Sequence, residues 1–61
     1  MRLKNGQKLV TFDYDRDEGK ALIAYYYNGA YKDPSFVKYV DIEEANKRYD
    51  DLVQEGYRNA V

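Results

Sequence analysis

The chain has 61 residues, 10 basic and 11 acidic, with no Cys and no His. Disulfide staples are therefore excluded, a zinc site lacks its usual ligands, and the balanced charge offers no overall attraction to nucleic acid or to an anionic membrane. At this size one small domain over residues 1–61 is the limit, and such a core barely offsets conformational entropy, which points to self-association or a partner as the missing stabiliser.

A 44% hydrophobic and 16% aromatic content argues for a folded chain, since disordered segments are poor in aromatics. The longest apolar run, residues 21–27, falls well short of the about 20 residues that span a bilayer. Residues 1–10 hold no apolar signal region. The expectation is a cytoplasmic protein.

Residues 1–4 and 7–14 flank Asn5-Gly6, a pair that favours the positive backbone angles of a tight hairpin turn. The first strand is expected to be a short edge, with Arg2, Lys4 and Lys8 discouraging edge-to-edge aggregation. In the second, Val10, Phe12 and Tyr14 alternate with Leu9, Thr11 and Asp13, the pattern of a half-buried sheet. The polar stretch from Asp15 to Lys20, with Gly19 late in it, reads as a hairpin loop. Pairing Asp15 with Lys20 sets Phe12 opposite Ile23 and Val10 opposite Tyr25.

The third strand, residues 21–27, carries apolar or aromatic side chains on both pleat faces, so both faces call for a cover. A second turn signal, Asn28-Gly29, leads into a last strand over residues 30–40, interrupted at 33–35 because Pro34 cannot donate a ladder hydrogen bond. Asp41 then reads as an N-cap with Glu44 completing a capping box and Val40 stapling to Ala45. The helix is predicted over 42–55, with Ile42, Ala45, Tyr49, Leu52 and Val53 forming its apolar stripe. Glu43–Lys47 and Glu44–Arg48 are spaced to pair on its outer side. Gly56 is placed to close the helix, with Tyr57 reaching back to Leu52, and residues 58–61 are expected to fray.

The fold class is thus α+β: a small antiparallel three- to four-stranded meander with one C-terminal helix across one face. Catalytic groups are sparse. There is no His or Cys, a lone Ser35 sits in a Pro turn, and no Gly-rich phosphate loop is present, so neither an enzyme nor a cofactor site is expected. Asp13, Asp15 and Asp17 recur at alternate positions ahead of Gly19, like the first half of a calcium loop. Glu18 stands where that loop needs Gly, Ala24 where it needs a bidentate Glu, and Arg16 adds a cation, so the stretch reads as a solvated hairpin tip rather than a metal site.

Eight tyrosines remain, a residue type enriched at protein interfaces because it joins a large apolar face to a polar tip. Tyr25 and Tyr49 are assigned to the core. Tyr26 and Tyr31, placed opposite each other across the second turn on the face away from the helix, are read with Leu22, Tyr39 and Lys32 as a partner-binding surface. The function expected is a protein-interaction module, with a second copy as one candidate partner. The alternative is a nucleic-acid-binding accessory protein stacking bases on the aromatic face, which the net charge disfavours.

Overall fold

The computed structural model describes residues 1–27, 29 and 31–60. Five strands, β1 (Arg2–Asn5), β2 (Lys8–Asp15), β3 (Lys20–Tyr26), β4 (Phe36–Asp41) and β5 (Arg58–Asn59), form one open sheet in the order β4-β3-β2-β1-β5. The helix α1 (Ile42–Gln54) connects β4 to β5. Every neighbouring pair is antiparallel, so β4 and β5 run the same way at opposite edges and α1 carries the chain from one edge to the other.

The β2–β3 register is the expected one, with Asp15 opposite Lys20, Phe12 opposite Ile23 and Val10 opposite Tyr25. It gathers Val10, Phe12, Ala21, Ile23 and Tyr25 on one face, where Ala45 and Leu52 of the helix complete a continuous core with Leu3 and Tyr57. Tyr14, Val40 and Tyr49 pack around it. Tyr49 meets Phe12 edge-on at 5.8 Å between ring centroids, the geometry that sets a positive ring edge against a negative face. Val53, expected in the stripe, is 39% exposed, so the buried seam of the helix is narrower than its sequence pattern.

The first hairpin differs by one residue from its expected turn. Asn5 pairs with Lys8, leaving Gly6 and Gln7 as the linking residues, and Gly6 takes the positive φ of 62°. Nor is β1 an edge. Leu3 and Lys4 pair with Asn59 and Arg58, and the Ala60 amide donates to the Arg2 carbonyl at 2.9 Å, so the segment expected to fray is the strand that closes this side of the sheet.

A larger correction concerns the last strand. Residues 31 and 32 are not paired to β3; the ladder resumes only where the Ser35 amide donates to the Tyr25 carbonyl at 2.7 Å, beyond Asp33 and Pro34. Pro34 has no amide hydrogen to contribute and biases the residue before it, so pairing restarts after it. Asn28 of the second turn signal and Ala30 lie outside the described residues.

At the helix start Asp41 occupies the N-cap position without capping, since its carboxylate makes no hydrogen bond to the helix. It is held instead by Lys20, its cross-strand partner, at 2.7 Å, and the Ile42 amide finds the Gly19 carbonyl at 3.1 Å. Lys20–Asp41 is the one ion pair among the described residues, so neither expected helix pair closes. The helix end follows expectation. Gly56 at φ 109° lets the Tyr57 amide reach the Leu52 carbonyl and the Gly56 amide the Val53 carbonyl, both at 3.1 Å, the paired bonds of a Schellman motif.

Candidate functional site: the open face of the sheet

Side chains alternate across a pleated strand, so covering Val10, Phe12, Ile23 and Tyr25 with the helix sends Leu9, Thr11, Asp13, Leu22, Ala24 and Tyr26 to the other face. Arg2 and Lys4 join them from β1, and Val37, Tyr39 and Asp41 from β4, as their register partners dictate. Three cross-strand rows describe most of this surface. The first is Lys4, Leu9 and Tyr26; the second Arg2, Thr11, Ala24 and Val37; the third Asp13, Leu22 and Tyr39.

The first row has a cover from its own chain. The Tyr31 ring stands edge-on to Tyr26 at 6.3 Å, while the Lys4 ammonium lies 5.3 Å from its centroid. Those two contacts are the ends of the row, so the ring lies across its middle, and Leu9 between them is only 2% exposed. The Tyr31 hydroxyl and the Gly29 amide both donate to the Gln7 carbonyl, at 3.2 and 3.0 Å, fastening this cover to the first hairpin. Tyr26 and Tyr31 therefore do meet, through the connection before β4 and not as paired strand residues. Their role is to close a second, smaller apolar cluster.

In the other two rows Ala24 is buried, but the larger apolar side chains have no such cover. Leu22 is 40% exposed, Val37 49% and Tyr39 57%, and Phe36, at the start of β4 on the helix side, is 53% exposed with its ring 5.6 Å from Tyr25. Because β4 has a neighbour on one side only, its outer edge is also unpaired. Of the residues predicted to bind a partner, Leu22 and Tyr39 stand together on this patch as register partners. Lys32 is exposed in the connection before β4, and Tyr26 and Tyr31 belong to the covered row. Val37 extends the patch beyond the predicted set, whereas Phe36 lies on the helix side; the signal for Val37 was its place two residues before Tyr39 on a strand that Pro34 marks as an edge.

Charge on the open face is divided. Arg2 and Lys4 of β1, with Arg58 of β5 opposite Lys4, make one side basic. Asp13 and Asp15 of β2 and Asp41 of β4 make the far end acidic, relieved by Lys20. The hydrogen bond from Lys20 to Asp41 raises the lysine pKa, and the carboxylate charge adds to it.

The carboxylates of the hairpin tip do not converge. Asp15 Oδ1 accepts from the Glu18 amide at 3.3 Å, and among the described residues no three acidic groups are placed to share a cation. On the helix side, a shallow groove of about 80 Å3 lies between α1 and β4 over Ile23 and Tyr25. Arg48 forms its rim and donates from Nε to the Tyr25 hydroxyl at 3.0 Å, which raises the arginine pKa. Ligand pockets begin near about 300 Å3, so this groove is too small to enclose a substrate. No helix of the described residues is long and apolar enough to cross a membrane. Set against protein-family models, curated proteins and solved structures, the chain matches none.

Proposed function

We propose that the chain is a non-catalytic protein-interaction module whose contact surface is the β4 side of the open sheet face. The observation that carries this reading is the contiguous exposure of Leu22, Val37 and Tyr39 on two adjacent strands. Contiguous apolar area on a small domain marks a surface that a partner removes from water, and Tyr is the side chain best suited to anchor such a contact.

Arg2, Lys4 and Arg58 beside Tyr26 and Tyr31 favour the nucleic-acid alternative locally. Asp13, Asp15 and Asp41 on the same face repel a phosphate backbone, and Tyr31 is already occupied by Lys4 and Tyr26, so protein contact is the stronger reading. A photo-crosslinking amino acid at Tyr39, compared with one at Asp50 on the outer helix face, tests it in the native host. A protein adduct at position 39 and none at 50 is expected; equal labelling at both, or a nucleic-acid adduct alone, would overturn the reading.

A further inference from the structure

We infer that the partner of this face is a second copy of the same chain, stacked sheet against sheet about a two-fold axis that runs across the strands between the second and third rows. The inference rests on the interaction reading above and names its occupant. Such an axis lays the Ala24–Val37 row of one copy on the Leu22–Tyr39 row of the other, twice over, so every exposed apolar side chain of the face meets an apolar one.

Charge supplies the second argument. The same rotation carries the β1 side of one copy toward the far end of the β2 strand of the other, bringing Arg2 near Asp13 across the interface, and symmetry makes the contact twice. Sheets pack face to face with their strands nearly aligned, about 30° apart, which this arrangement satisfies because the rotation reverses strand direction without crossing it. Pairing two β4 edges instead would leave Leu22 and Val37 in water, so the face, and not the edge, is the self-complementary surface.

The test is light scattering and sedimentation of the purified chain between about 10 µM and 1 mM, the range in which weak homodimers of this size populate. A mass of twice 7.2 kDa is expected. Arg2→Glu alone and Asp13→Arg alone each set like charges against each other twice and should raise the dissociation constant roughly tenfold or more. Mixed in equal amounts, the two variants keep one Arg2–Asp13 contact as it was and re-form the other with its charges exchanged, and should form a heterodimer. Both substitutions are exposed, and circular dichroism establishes that each variant is folded. A wild-type monomer throughout the range, a dimer indifferent to both reversals, or a mixture no tighter than the separate variants would overturn the proposal. A protein adduct at position 39 formed with a different chain would leave the interaction reading standing while removing the second copy as its occupant.

Discussion

Lys20 Nζ and Asp41 Oδ1 lie 2.7 Å apart across the β3–β4 ladder, and this contact decides how the helix begins. The carboxylate that should cap α1 is turned onto the sheet, and the first helical amide takes the Gly19 carbonyl of the neighbouring hairpin. The helix is thereby registered to the β2–β3 loop as well as to β4. An exposed pair contributes little and is screened by salt, so its value is positional.

Alkaline pH should expose this arrangement. The folded-state pKa of Lys20 is raised by its bond to Asp41, so the contribution is complete below the ordinary lysine value of 10.5 and is lost as pH rises through the folded value. Tyr14 and Tyr57 act in the same direction, because burial raises both above 10.0 and the unfolded chain ionises first. Stability measured by urea denaturation should therefore hold to about pH 10 and fall above it. Lys20→Gln should remove part of that fall and lower stability at neutral pH only in low salt; an unchanged profile would show that the pair does not respond to pH.

The two halves of the open face should respond differently to truncation. Tyr31→Ala uncovers Leu9 and should cost about 1–2 kcal/mol, the scale of a half-buried aromatic ring. Leu9→Ala should cost about 2–3 kcal/mol. Tyr39→Ala, which removes a side chain exposed in the single copy, should stay within about 0.5 kcal/mol when unfolding is followed at concentrations below dimer formation. Chemical denaturation checks all three, and equal costs for Tyr31 and Tyr39 would abolish the division between covered and open rows.

The helix exit should be sensitive at two adjacent positions for different reasons. Gly56→Ala meets no steric contact closer than 3.5 Å but must hold φ near 109°, which L side chains rarely adopt, so a loss of more than about 1 kcal/mol is expected. Tyr57→Ala empties a core site and should cost about 3 kcal/mol, whereas Tyr57→Phe should be nearly neutral at pH 7. Thermal unfolding of the three variants separates backbone strain from lost packing.

Much of this architecture is legible in the residues themselves. Period-two alternation in Leu9–Tyr14 and the Asp15–Lys20 loop set the central register correctly, and the Gly56-Tyr57 closure is written in local chemistry. The two-sided apolarity of residues 21–27 calls for two covers; the helix supplies one, while on the other face Tyr31 covers only the row of Leu9 and Tyr26 and Leu22 stays exposed. What could not be read depends on distant segments. Arg58 and Asn59 have no strand pattern and become β5 only because Leu3 and Lys4 offer an open edge. Tyr31 becomes a cover only once Gln7 is positioned to accept its hydroxyl. The Asp41 cap fails because a lysine on another strand reaches the same carboxylate first.

The pairing of β1 with β5 has a consequence for how the sheet is completed. Residues 2 and 60 share a hydrogen bond, so the two ends of the described chain lie side by side at one margin, while β4 holds the other. The hairpins of β1–β2 and β2–β3 need only neighbouring residues to close, but the β5 contact must wait until the helix has carried the chain across the sheet. Loop-closure entropy therefore favours closing the two hairpins before the terminal seam. Fusions at either end project from the same seam, away from the β4 surface.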